Sequence, residues 1–387
     1  MGKLHFSSGN QLQLLHCGQA FFSRLLQEID CAENQIYLET YIFSEDETAT
    51  QIRHALCEAS KRGVKVHVII DWLGSGERRA TALATQFTDA GVTCRLFNPW
   101  FKRGFARTHR KLCAIDQKLA FVGGINIIDD LFADDGSGKA LPFPRWDFTV
   151  LLQGELVAQI HQELQAQWLR LGHMALINRM NLLRYLRVSK PESIKSACLA
   201  AFVIRDNLRN RATIQKAYLQ ALGAAKKQAI LANPYFAPGR RFRQALISAA
   251  TRGVQTTLLI GVGEFRLQDA VTRSYYPKLL RNGVKIVEYR KTQLHAKVAV
   301  VDESWSTVGS SNVDGLSLFV NHEANLVIND AEFTTVLRRH LEQGIADGVP
   351  VDLADYINQP WWKRVWYGFA YLVYRSVMRI VTWGGYT

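Results

Sequence analysis

Apolar and polar positions along this chain switch between a strand-like and a helix-like period, and the switching happens twice in the same order. The run "QIYLETYIF" at 35–43 is of β type. It leads into "TATQIRHALCEASKRGVKVHVIID" at 48–71, where helical spacing stops at Gly63 and a second apolar run begins. Later, "QAILANPYF" (228–236) leads into "RRFRQALISAATRGVQTTLLIG" (240–261). Both copies read strand, helix, Arg-Gly-Val, strand, with Arg62-Gly63-Val64 answering Arg252-Gly253-Val254. "FTDAGVTCRLF" (87–97) and "LLRNGVKIVEY" (279–289) extend the match through a helix end, a Gly-Val turn and a short strand. Strands alternating with helices predict βαβ units. The expected fold is therefore α/β, with two homologous halves packed about a pseudo-twofold, each a mixed β-sheet flanked by helices. The halves are placed at 1–195 and 196–360, with a tail at 361–387.

The same duplication carries candidate chemistry. "THRKLCAID" (108–116) and "LHAKVAVVD" (294–302) share the form H-x-K-x4-D, giving His109, Lys111 and Asp116 in one copy and His295, Lys297 and Asp302 in the other. Each continues into a glycine-bearing turn and an asparagine seventeen residues after the histidine. These are Gly123, Gly124 and Asn126 in the first half, and Gly309, Ser310 and Asn312 in the second. Residues two apart on a strand share a face, so each histidine should project together with its lysine. The aspartates fall on the other parity beside a turn, which suits a supporting or turn-holding part in the catalytic set.

Two imidazoles and two ammonium groups meeting between the halves fit displacement at a phosphodiester. A neutral imidazole attacks phosphorus and forms a phosphoryl-histidine. The opposite imidazolium protonates the departing alcohol, then deprotonates the incoming one. Lys111, Lys297, Asn126, Ser310 and Asn312 would hold the non-bridging oxygens. This chemistry calls for no metal and no cofactor, and the sequence has no Asp/His cluster at ligand spacing. Each histidine also needs a carboxylate to fix its tautomer. Asp147 in "PRWDFTVLL" and Glu323 in "VNHEANLVI" precede apolar runs at comparable places. Tyr41 and Tyr235 are candidates for the cleft wall or for the core.

Composition narrows the partner. With 387 residues, 48% hydrophobic and 21% charged, the chain is a folded protein large enough for two domains. A net charge of +13 calls for an anionic partner, either nucleic acid or an acidic membrane surface. Two stretches without acidic residues hold eight of these charges: 171–191, with Arg179, Arg184, Arg187 and Lys190, and 361–383, with Lys363, Arg364, Arg375 and Arg379. On a helical projection Arg364, Arg375 and Arg379 share an arc of about 60°, with aromatic residues elsewhere. That is the pattern of a helix lying among anionic headgroups, the alternative being a docking helix with a basic face. No apolar run approaches the ~20 residues needed to span a bilayer, and the N-terminus lacks the pattern of a signal peptide. Six scattered cysteines without a CxxC pair fit a reducing compartment. The expectation is a peripheral protein on the cytoplasmic face of the inner membrane.

The duplicated H-x-K-x4-D, followed by G-G-x-N and G-S-x-N, resembles the phospholipase D superfamily. "LETYIF", "RDN" at 205–207, "NPYFAPGRRF", "LHAKVAVVDESWSTVGSSNVD" and the terminal "WW" are similar to bacterial cardiolipin synthases, closest to the B type, over about residues 10–365. The resemblance implies metal-independent phosphatidyl transfer between two phosphatidylglycerol molecules, giving cardiolipin and glycerol. It also implies His109 as nucleophile and His295 as general acid/base. Water as acceptor would make the protein a phospholipase. A nuclease of the same superfamily would also explain the charge, and a non-catalytic binder would show degenerate motifs. Charge concentrated on aromatic-rich segments favours a membrane over nucleic acid. The sequence is silent on oligomeric state.

Overall fold

The computed structural model describes residues 4–102, 104–133, 137–172, 194 and 196–382. The first half forms a seven-stranded sheet from β1 (Asn10–His16), β2 (Gln35–Thr40), β3 (Lys65–Asp71), β4 (Thr93–Phe97), β5 (Leu112–Ile115), β6 (Leu119–Gly123) and β7 (Phe148–Gly154). Its order is β1-β7-β6-β5-β2-β3-β4. The second half supplies β8 (Leu199–Arg205), β9 (Gln228–Asn233), β10 (Gln255–Gly261), β11 (Lys285–Tyr289), β12 (Val298–Val301), β13 (Trp305–Gly309), β14 (Glu323–Asn329) and β15 (Val349–Pro350). Its order, β15-β11-β10-β9-β12-β13-β14-β8, is the first sheet repeated with one edge strand added. In each sheet the strands of the βαβ units are parallel and the strands after the H-x-K motif are antiparallel, so both sheets are mixed.

The paired helices have local causes. The helix Glu47–Lys61 begins at Asp46, whose side chain accepts the Ala49 N–H at 2.8 Å, and it buries Ala49, Ile52, Leu56 and Ala59 along one stripe. Its counterpart Arg240–Thr251 buries Phe242, Leu246 and Ala249. Gly63 (φ +94°) and Gly253 (φ +89°) end the two helices in open space, so glycine is required there by backbone angle and not by crowding.

One apolar cluster lies between each sheet and its outer helices. A third is shared by both halves: Ala114, Val122 and Val150 of the first sheet join Ala232, Val298 and Leu326 of the second. The helices Leu156–Leu171 and Ala331–Ala346 contribute to it. The two halves thus share a core, which fixes their C-terminal strand ends relative to one another. The helix Trp361–Val381 closes the described chain and packs against the helix Arg266–Ser274. Among the described residues no helix is long and apolar enough to cross a membrane.

Candidate active site

The strands after each motif begin only at Leu112 and Val298, so the histidines and lysines expected on a strand lie just before it. His109 and Lys111, like His295 and Lys297, lie in extended segments just outside their own sheets. The backbone N–H groups of the two histidines pair across the interface instead. His109 N–H donates to the His322 carbonyl at 2.9 Å, and His295 N–H donates to the Trp146 carbonyl at 2.9 Å. Since His322 precedes Glu323 and Trp146 precedes Asp147, each half delivers its carboxylate to the other half's histidine.

The side chains complete this crossing. His109 Nδ1 lies 3.1 Å from Glu323 Oε2 and 3.0 Å from the Ser310 carbonyl oxygen. His295 Nδ1 lies 2.6 Å from Asp147 Oδ2. With acceptors at Nδ1, each ring carries a proton there, which makes Nε2 the nitrogen that attacks or exchanges a proton. Asp147 is fixed in turn, because its Oδ1 accepts the Phe148 N–H at 2.7 Å. Glu323 is fixed by the Ser310 hydroxyl, which donates to Oε2 and itself accepts the Ala324 N–H at 3.0 Å. The two turns differ for this reason. A Cβ at Gly124, the position equivalent to Ser310, would run into Asp147 Oδ1.

Burial sets the charge of the site. The two histidines, two lysines and two carboxylates are all buried. Desolvation pushes the His109 imidazole below its ordinary value, with Glu323 opposing, so the ring is a neutral base. Lys111 falls to about 7, through burial and the facing charge of Lys297. Burial lifts Asp147 to about 6, against the pull of Lys297 and Lys111. Lys111 Nζ donates to the His109 carbonyl at 2.6 Å, and Lys297 Nζ makes the matching bond to the His295 carbonyl. Arg110, between His109 and Lys111, is directed instead to Glu39 and Glu163, each at 2.8 Å, which anchors the segment from behind.

His109 and His295 open into one cleft of about 720 Å³. Asn126 and Asn312 line it, and so do Tyr41 and Tyr235. The Tyr41 ring stands edge-on to His109 at 5.0 Å. Apolar residues from several elements make the outer walls: Leu73, Phe265, Leu267, and Val373 and Val377 of the C-terminal helix. Sequence reasoning did not single out Asp314, Ser317 or Tyr374, which also line the cleft. Asp314 was recoverable by laying the two motifs over each other, since Ile128 occupies its place in the first copy.

Asp116 and Asp302 are not brought to the cleft, so their inclusion in the catalytic set is corrected. Each sits past the far end of its strand in a left-handed turn, at φ +53° and +49°. Asp116 accepts the N–H groups of Glu33, Asn34 and Gln35, each at 2.8 Å. Asp302 does the same for Lys226, Lys227 and Gln228. Burial would raise Asp302, but these amides outweigh it and hold the carboxyl below its usual range. Both aspartates therefore tie the start of the neighbouring strand, β2 or β9, to the motif strand.

Of the two basic segments, 171–191 lies outside the described residues apart from its first two. The other is the helix Trp361–Val381, which buries Tyr367, Ala370 and Met378 along a narrow stripe. Trp361, Trp362, Val365, Trp366, Phe369 and Leu372 are exposed. Arg364, Arg375 and Arg379 are also exposed and border that apolar face.

The family described as cardiolipin synthase, PLD-like domain, matches residues 25–136 and 218–345, one segment in each half. Cardiolipin synthase B of Salmonella typhi is 36% identical over 98% of this chain and 92% of its own length. Cardiolipin synthase B of Escherichia coli K12 is 35% identical over the same shares. Among solved structures, phosphatidylserine synthase of Haemophilus influenzae matches in fold, with a TM-score of 0.69 at 13% identity over 98% of this chain and 97% of that one.

Proposed function

The chain belongs to the phospholipase D-like cardiolipin synthase family, and from that premise we propose a stepwise phosphatidyl transfer at the composite cleft. The enzyme is a phosphatidyltransferase that joins two phosphatidylglycerol molecules into cardiolipin and releases glycerol. His109 Nε2 attacks the phosphorus of the first lipid, a P–N bond forms, and the P–O bond to glycerol breaks. His295, protonated, gives its proton to the departing glycerol oxygen. The hydroxyl of a second phosphatidylglycerol then loses its proton to His295 and attacks the same phosphorus. The P–N bond breaks, cardiolipin leaves, and both rings return to their starting states. Lys111, Lys297 and the amides of Asn126 and Asn312 hold the non-bridging oxygens, while Glu323 and Asp147 keep Nδ1 of each ring protonated.

The observation that carries this reading is the crossed pairing of His109 with Glu323 and of His295 with Asp147, within one cleft. Neither half holds a complete set by itself. Apolar outer walls favour an alcohol on a lipid over water as acceptor.

Access to lipid is assigned to the exposed face of Trp361–Val381, whose arginines would meet anionic headgroups while its aromatic residues enter the interface. Val373 and Val377 belong to both helix and cleft, so a lipid leaving the surface meets the site directly. The protein then works as a peripheral enzyme at the cytoplasmic membrane surface, with phosphatidylglycerol as its anionic lipid partner. The test is incubation with phosphatidylglycerol vesicles and quantification of lipid products. Cardiolipin and glycerol in equal amounts are expected. Phosphatidic acid as the main product would make the enzyme a hydrolase, and DNA cleavage without any lipid product would overturn the reading.

A further inference from the structure

The cleft holds a second group of polar side chains, and they stand on one wall. Asn312 and Asp314 come from the turn after β13, and Ser317 from the short helix Gly315–Phe319 that follows. All three are at least nine-tenths buried: their exposures are 5%, 7% and 1%. Asp314 caps the helix, its Oδ1 accepting the Ser317 N–H at 2.7 Å. Asn312 Oδ1 and Ser317 Oγ are buried without a hydrogen-bond partner among the described residues. Buried polar atoms are nearly always paired, so two orphans beside a carboxyl in one cleft mark a place for a ligand.

At the equivalent positions the first half offers no counterpart. Seventeen and nineteen residues after His109 stand Asn126 and Ile128. Asn126 Oδ1 is already used, accepting the Ile42 N–H at 3.1 Å, and Ile128 has no polar group. The asymmetry matters because the two faces of phosphorus are asymmetric too. The nucleophilic histidine occupies one face throughout. The other receives first the departing glycerol and then the glycerol headgroup of the acceptor lipid, so the same polyol visits the same place twice.

We propose that Asn312, Asp314 and Ser317 form a polyol subsite that holds the hydroxyl groups of glycerol, both in the leaving group and in the acceptor headgroup. This inference deepens the transferase reading and rests on it. The chemistry of the wall suits hydroxyls better than phosphate. An amide oxygen and a carboxylate accept from O–H donors and repel an anion, while the Asn312 amide N–H remains available to the phosphate side. Burial, with the nearby charge of Glu323, lifts the Asp314 carboxyl to about 7. Near neutrality it can accept from a hydroxyl as the anion or donate to one as the acid.

The test compares acceptors. Asp314→Asn and Asp314→Ser both keep a side chain able to cap the helix. Each is assayed on phosphatidylglycerol vesicles for cardiolipin, for phosphatidic acid and, with added 1-propanol, for phosphatidylpropanol. Loss of hydrogen bonds to a polyol should raise the KM for acceptor phosphatidylglycerol by roughly 10- to 100-fold. Both channels share the step that releases glycerol, so the ratio of cardiolipin to phosphatidylpropanol should fall by roughly 10-fold or more, because a monohydric acceptor does not use the subsite in the second step. Equal loss in every channel, or unchanged cardiolipin synthesis, would overturn the proposal. Should neither variant fold, as judged by thermal melting, the wild-type enzyme still decides. Glycerol and 1,2-propanediol should outcompete 1-propanol as added acceptors by about tenfold or more, and parity would sink the idea. A wild-type enzyme that makes no cardiolipin would instead remove the transferase reading beneath it.

Discussion

Replacing Asp147 by asparagine should be far more damaging than replacing Glu323 by glutamine, although each change swaps a carboxylate for an amide of the same shape beside a histidine. The difference lies in what fixes the amide. Asp147 Oδ1 accepts the Phe148 N–H at 2.7 Å, while Oδ2 faces His295 Nδ1 at 2.6 Å. An asparagine there keeps its oxygen on the Phe148 N–H, which turns its NH2 towards His295. Nδ1 must then accept, the ring proton moves to Nε2, and His295 loses the base needed for the second step. A tautomer error of this kind lowers kcat on the order of 10⁴-fold in a hydrolase triad. At Glu323 the amide is not pinned in the same way, since Oε1 has no hydrogen-bond partner among the described residues. A glutamine can keep its oxygen on His109 and the Ser310 hydroxyl. The Ser310 carbonyl, 3.0 Å from His109 Nδ1, preserves the same tautomer. Both hydrogen bonds lose their charge assistance, and the one to His109 costs catalysis about 1–2 kcal/mol, or roughly 5- to 30-fold in kcat. The assay is initial-rate cardiolipin formation in phosphatidylglycerol micelles, with melting curves to confirm folding. If the two variants fall within tenfold of each other, or Glu323→Gln is the worse, the tautomer argument fails.

Three further outcomes follow from the same geometry. The kcat/KM profile should rise through pH of about 6, where Asp147 becomes the anion that orients His295, and fall above about 7, where Lys111 loses its proton. The bound phosphodiester favours charged Lys111, so the alkaline limb of kcat should lie at higher pH; a kcat/KM profile flat across roughly pH 5 to 9 would contradict this. Serine at Trp362, Phe369 and Leu372 together should reduce co-sedimentation with anionic vesicles by at least about 100-fold, given apolar contributions of about 1.5–3 kcal/mol per fully buried side chain; undiminished binding would remove the helix as the anchor. Asp302→Ala should lower stability by about 2 kcal/mol or more, through lost amide contacts and strain at φ +49°, while kcat stays within about threefold. A fall in kcat of a thousandfold in a folded variant, on the order expected for a lost catalytic group, would restore Asp302 to the chemistry.

Much of the site is legible in the sequence because duplication exposes it. The H-x-K spacing, the shared Gly and Asn, and the carboxylate before a strand each recur at matched offsets. Which carboxylate serves which histidine is not local information. It depends on the segments before Glu323 and Asp147 crossing to the other half, as the backbone bonds of His322 and Trp146 do. The late start of strand pairing has the same origin, since the backbone N–H groups of His109 and of His295 are satisfied by the opposite half. Asp116 and Asp302 belong to the motif by spacing, yet the length of a strand separates them from the cleft. Asp314 is hidden because only one copy has it, and a reading built on repetition passes over what does not repeat.

The claim on which everything rests is that two halves build one site in which His109 takes the phosphatidyl group. The direct measurement is to mix enzyme with phosphatidylglycerol carrying radiolabelled phosphorus and quench in alkali, which spares a P–N bond. Digestion and mass spectrometry then locate the label. A phosphatidyl group on His109 in the wild-type enzyme, and no label in His109→Ala, is the predicted result. Label on His295, or full turnover with no label on either histidine, would contradict it.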